Sequence, residues 1–79
     1  MLEYDEDQNI KEFLYAMIAM EGTSMRKVLK KIKELKNINL SSESISKKLK
    51  AGTIRFNEVK EITNCLDYEI IIRKKGNLE

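Results

Sequence analysis

The sequence predicts a mainly α domain of four helices followed by one C-terminal β-strand. Three observations carry this. Apolar residues recur three and four apart in four separate stretches, the period of a helix with one buried face. Short polar residues, glycines and asparagines punctuate these stretches where helices start and stop. One run departs from the pattern: Tyr68 to Arg73 is short, rich in β-branched residues and bounded by Asp67 and Gly76. The 79 residues, 42% apolar and 35% charged, fit one domain over 1–79 whose apolar side chains must converge on a single core.

The first helix is placed at about 6–21. Ile10, Phe13, Leu14, Met17 and Ile18 form its buried stripe, acidic residues crowd its start, and Gly22 supplies the stop. The second, at about 24–36, begins after Thr23 or Ser24 and buries Met25, Val28, Leu29, Ile32 and Leu35. Arg26, Lys27, Lys30, Lys31 and Lys33 fall largely off that stripe. Asn37 and Asn39 break the period.

The third helix, at about 41–51, has the clearest start. Ser41 suits the N-cap, and Leu40 before it pairs with Ile45 as a hydrophobic staple. Gly52 ends it. Only Ile45 and Leu49 are strongly apolar, so a narrow stripe attaches this helix to the core. Glu43, Ser46, Lys47 and Lys50 fall on the opposite side, with Ser44 at its margin. The fourth helix, at about 56–66, is marked by Phe56, Val59, Ile62 and Leu66, with Cys65 half-buried beside them. The strand follows at about 68–74.

A net charge of +2 conceals an uneven distribution. Residues 1–21 carry one lysine against six acidic residues, a net −5. Residues 22–60 carry eleven basic against three acidic residues, a net +8. A basic middle beside an acidic start is the footprint of a polyanion-binding face; a solvated lysine-rich surface is the plainer alternative. The longest early apolar run, Phe13 to Met20, is too short for a membrane span and no basic segment precedes it, so neither a signal peptide nor a membrane helix is expected. A single cysteine and no histidine leave no internal disulfide and no Cys/His zinc set, which fits a reducing, cytoplasmic setting.

The same inventory argues against an enzyme, a cofactor or a bound metal. There is no Gly-rich phosphate loop, and no Ser or Cys has an evident base to activate it. The dense serines, Ser41, Ser42, Ser44 and Ser46, are spaced as caps and surface contacts.

A helix that turns short polar residues and lysines outward, one turn after another helix, has what docking in the major groove of DNA requires. Small side chains allow close approach, Ser, Glu and Lys address base edges, and flanking cations meet phosphates. The segment Leu40-Ser41-Ser42-Glu43-Ser44-Ile45-Ser46-Lys47-Lys48-Leu49-Lys50-Ala51-Gly52-Thr53-Ile54 resembles the turn and recognition helix of phage-repressor-like (XRE-type) helix-turn-helix proteins. Gly52 to Phe56, and Ile62 through Ile70, resemble small bacterial and phage members in which the fourth helix leads directly into a strand.

The resemblance spans about residues 10–73. It implies a four-helix lambda-repressor-like fold and a sequence-specific transcriptional regulator that binds double-stranded DNA. It further implies base-edge contacts from Ser42, Glu43, Ser46 and Lys47, and phosphate contacts from Ser44, Lys48, Lys50, Thr53 and Arg55. The chain departs from the family in two places. Thr23-Ser24-Met25 lacks the usual Gln at the start of the second helix, and the connection around Lys33 to Asn39 is longer than the family's tight turn.

A lone strand needs a partner, because an unpaired β edge is a liability. Met1-Leu2-Glu3-Tyr4 within the chain and the same strand of a second copy, in a homodimer, are the two candidates. The competing functional reading is a protein-interaction module, antitoxin-like or anti-repressor-like, that keeps the helical fold and binds protein through the acidic first helix or the isoleucine-rich strand. RNA ranks third, since no aromatic sheet platform is evident.

Overall fold

Every helix start is fixed by a local polar contact that the sequence supplies. A computed structural model describes residues 9–72 and 74, and in it four helices follow one another: α1 (Ile10–Met20), α2 (Met25–Lys36), α3 (Ser42–Ala51) and α4 (Phe56–Cys65). Asn9 caps α1, its Oδ1 accepting from the Glu12 amide at 2.9 Å. Ser24 caps α2 and Ser41 caps α3, each hydroxyl accepting at 3.3 Å from the amide three residues on, Lys27 and Ser44. These contacts satisfy amides that no helical carbonyl can reach. Residues 6–8, given to the first helix by its acidic start, lie outside the described residues.

The ends are equally local. Gly22 (φ 66°) and Gly52 (φ 72°) adopt the left-handed conformation after α1 and α3, and Asn37 (φ 56°) and Asp67 (φ 64°) do so after α2 and α4. At each end a returning amide closes the last turn: Thr23 to the Ile18 carbonyl, Asn37 to Lys33, Thr53 to Lys48 and Tyr68 to Thr63. Only glycine takes this backbone without steric cost; Asn and Asp accept it more readily than other residues.

Leu14, Ile18, Met25, Val28, Leu29, Ile32, Ile45, Leu49 and Ile62 form the buried core, ringed by half-buried Ile10, Ile38, Leu40, Ile54, Val59, Cys65 and Leu66. All four helices contribute. The Cys65 thiol lies against the Val28 carbonyl at 3.8 Å, joining α4 to α2. Leu40 and Ile45 enter the same core from either side of the Ser41 cap, as a staple requires. No described helix is long and apolar enough to cross a membrane.

Two expectations of burial are corrected, and the expected strand is not seen among the described residues. Leu35 is 70% exposed. It stands in the last turn of α2, one residue before the helix ends at Lys36, at a shallow cleft against α4. Phe56 is 58% exposed; it opens α4, beyond the core, and its ring lies 5.9 Å from the Lys60 ammonium. The strand expected at 68–74 is not formed among the described residues: 68–72 follow α4 with no strand alongside them, and a strand exists only as half of a ladder. The segment Met1 to Tyr4, weighed as its partner, lies outside the described residues, as does Arg73.

The long connection after Lys33 resolves into two parts. Helix α2 runs a further turn to Lys36, where Asn37 reverses the chain, and residues 38–41 then lead into α3. Ile38 and Leu40 are packed against the core, so this loop is anchored by alternate side chains.

Candidate nucleic-acid interface

Helix α3 is held by very little of its surface. Ile45 and Leu49 are 1% and 3% exposed, and at 100° per residue they mark one narrow side of the helix. Ser42 and Lys48 flank that side and are half-buried, while Glu43, Ser44, Ser46, Lys47 and Lys50 are exposed. The predicted base-edge set therefore divides: Glu43, Ser46 and Lys47 stand open, and Ser42 sits closer to the core. No side-chain hydrogen bond or ion pair to another described residue engages Glu43, Ser46, Lys47 or Lys50. Glu43 lies in the first turn of α3, where a negative charge is favoured by the helix dipole.

Thr53 and Arg55, both exposed, are brought beside the end of α3 by the reversal at Gly52. A Cβ built on Gly52 meets nothing within 4 Å, so it is the φ of 72° that calls for glycine here. Ile54, between Thr53 and Arg55, is packed against the core and fixes the pair on the surface. The alternation of one anchored and two exposed residues sets where the phosphate-type side chains begin.

Lys48 is the predicted contact whose surroundings differ most from expectation. Its ammonium meets Glu58 Oε2 at 2.7 Å, with the two side chains 31% and 12% exposed. Glu58 is the third residue of α4, and its other oxygen accepts from the Arg55 amide at 2.9 Å. One carboxylate thus closes the start of α4 and ties it to the last turn of α3. The hydrogen bond from Lys48, followed by that from the Arg55 amide, holds the Glu58 carboxyl below its ordinary value of 4.5.

Glu58 was not singled out from the sequence. Half of its role is legible, since Arg55 and Glu58 have the spacing by which a third-position Glu returns to the N-cap amide. Its reach to Lys48, ten residues earlier, depends on how the two helices pack.

A second ion pair, Lys36 Nζ to Glu61 Oε1 at 2.9 Å, joins the end of α2 to α4. The remaining cations of α2, Arg26, Lys27, Lys30, Lys31 and Lys33, are all exposed and extend the positive surface beyond α3. A shallow cleft between α2 and the end of α4 is lined by Lys31, Leu35, Glu61, Asn64, Cys65 and Asp67 among others.

The chain matches no known family model, and no curated protein or solved structure matches it.

Proposed function

We propose that the protein is a sequence-specific DNA-binding protein of the phage-repressor type, a transcriptional regulator that lays α3 in the major groove. The observation that carries this reading is the outer face of α3. Glu43, Ser46, Lys47 and Lys50 are exposed, and none pairs with another described residue. Buried contacts at Ile45 and Leu49 hold the helix from behind. A fixed helix with short polar side chains and free cations outward is suited to base edges and phosphates together.

In this arrangement Lys47 donates to guanine, Glu43 accepts from a cytosine amino group, and Ser46 addresses either base type. Lys50, Thr53, Arg55 and Ser44 meet phosphates and fix the helix in the groove. Lys48 serves first as the strut to Glu58, and Ser42 as a close flank of the buried stripe. Helices α2 and α3 form the helix-turn-helix, with residues 37–41 as an enlarged turn.

Fluorescence anisotropy on random duplex DNA at several salt concentrations tests the reading. Affinity falls steeply as salt rises, because each neutralised phosphate releases counterions. No binding at low salt overturns it. A protein-interaction role is the second reading, favoured by the exposed Ile70, Ile71 and Ile72, and an absence of DNA binding would promote it to first.

A further inference from the structure

Helix α2 carries cations out of proportion to its length, Arg26, Lys27, Lys30, Lys31, Lys33 and Lys36 within Met25–Lys36, and the unpaired ones fall into two rows. At about 100° per residue, Arg26, Lys30 and Lys33 stand within about 60° of one another on one flank of the buried stripe, while Lys27 and Lys31 stand on the other. All five are exposed.

The two rows differ in their surroundings. Lys27 and Lys31 line a cleft together with Glu21 and Asp67, so carboxylates share their field. Arg26, Lys30 and Lys33 line no such cleft, and none of them is in an ion pair with a described residue. Leu35, the one exposed apolar residue of α2, stands about 180° around the helix from Arg26. This row is therefore bare charge.

That bareness decides the kind of partner. Protein interfaces are centred on buried apolar anchors and are depleted in lysine, and a membrane surface takes an apolar face beside the charge. Cations without either suit phosphates, whose positions long flexible side chains can follow. From Arg26 to Lys33 the helix rises about 10 Å, the axial length of about three phosphates along one DNA strand.

We infer that the Arg26, Lys30 and Lys33 row of α2 is a contact surface for nucleic acid separate from the outer face of α3, taking the phosphate backbone of a duplex and reading no base. The inference rests on the reading of α3 for the identity of the polyanion as duplex DNA. It divides the work between two helices: the α2 row supplies affinity that is independent of sequence, and the short side chains of α3 supply discrimination.

Two double variants of the full chain, equal in charge, test this by fluorescence anisotropy on random and selected duplexes: Lys30→Gln/Lys33→Gln, and Lys27→Gln/Lys31→Gln as the control. The first should lower the slope of log affinity against log salt by about 1.8, so that between about 50 and about 200 mM salt it loses about 12-fold less affinity than the wild type. Its loss at low salt should be the same on both duplexes. The control should change the slope far less. Glutamine keeps the helix propensity of lysine, and unchanged helical circular dichroism ties the effect to charge.

Equal slope changes in the two variants would reduce the row to net charge and overturn the inference. A wild-type slope in Lys30→Gln/Lys33→Gln would overturn it while leaving the reading of α3 intact. If Lys47→Ala leaves the selected duplex as tightly bound as before and Lys30→Gln/Lys33→Gln still lowers the slope, the row stands and α3 leaves the groove. A wild type that binds polyglutamate and no duplex at low salt would give the row to an acidic protein, and both would fall.

Discussion

Glu58→Gln separates the two tasks of one carboxylate and gives opposite signs in two assays. Glutamine keeps an oxygen for the Arg55 amide and removes the charge that holds Lys48. An exposed ion pair contributes about 0–1 kcal/mol and a sheltered charge-assisted hydrogen bond about 1.5–3 kcal/mol. Here the carboxylate is largely covered while the lysine is about one-third exposed, so solvent screening puts the loss at about 1 kcal/mol. For a domain of this size that lowers the midpoint of thermal unfolding by about 4–8 °C.

The dependence on pH has a definite sign. The folded state holds the Glu58 carboxyl below 4.5, so the unfolded chain binds the proton more tightly. The stabilisation is complete above the unfolded value and is lost as pH falls through the folded one. The gap between wild type and variant, measured by circular dichroism melts, should therefore be constant near neutrality and close in acid. In DNA binding, the freed Lys48 adds one phosphate contact, steepening the slope of log affinity against log salt by about 0.9. Equal midpoints at neutral pH, or a gap that persists unchanged into acid, would refute the strut. A lowered midpoint with an unchanged salt slope would place Lys48 out of reach of phosphate.

Ile45→Ala removes a side chain 1% exposed at the centre of the attachment of α3; a loss of about 2–4 kcal/mol is expected in urea unfolding, enough to consume much of a small domain's stability. Lys47→Ala should weaken a selected cognate duplex by about 1–3 kcal/mol and random DNA far less, read by anisotropy competition. Equal losses on both would move Lys47 to phosphate. Asp67→Gly relieves a left-handed non-glycine residue and removes a negative charge near the end of α4; these gains outweigh glycine's extra unfolded-state entropy, for a net stabilisation of about 0.5–1 kcal/mol by urea titration. The hydrogen bond to Glu21, with burial adding to it, raises the Tyr68 hydroxyl above its ordinary value of 10.0. Ultraviolet titration should show one tyrosine ionising late, a delay that Glu21→Gln shortens. Any stability from this bond is present below about pH 10 and lost as pH rises through the folded value.

The helices were legible because their signals are local. Ser24, Ser41 and Gly52 act on amides and carbonyls within one turn, and the periods of Val28-Leu29-Ile32 and Ile45-Leu49 need only the helix itself to be read. Boundaries agreed within a residue or two for α2, α3 and α4 on that account. Leu35 and Phe56 misled because apolar type does not guarantee burial: one stands in the last turn of α2 and the other opens α4. The strand is a different case. β-branched residues state a preference, while a strand also requires a partner, and 68–72 gain none from the described residues. At the candidate site, the outward position of Glu43, Ser46, Lys47 and Lys50 followed from helical geometry alone. The capture of Lys48 by Glu58 joins two helices and is written in no single segment.

The way α3 is attached bears on how it can work. Two apolar side chains fix its depth and leave rotation about its axis weakly constrained, since residues four apart, such as Ile45 and Leu49, lie within about 40° of one another at the ideal helical angle. The Lys48–Glu58 strut supplies the missing restraint, acting from one flank, and Gly52 with the Thr53 amide fixes the end. An outer face built from short side chains needs that restraint more than one built from long ones, because serine cannot compensate for a misplaced backbone by extending. The brace runs through α4, from Lys48 in the last turn of α3 to Glu58. Reading α3 as a recognition helix therefore requires Glu58 as much as Lys47, although Glu58 itself belongs to α4 and is largely covered.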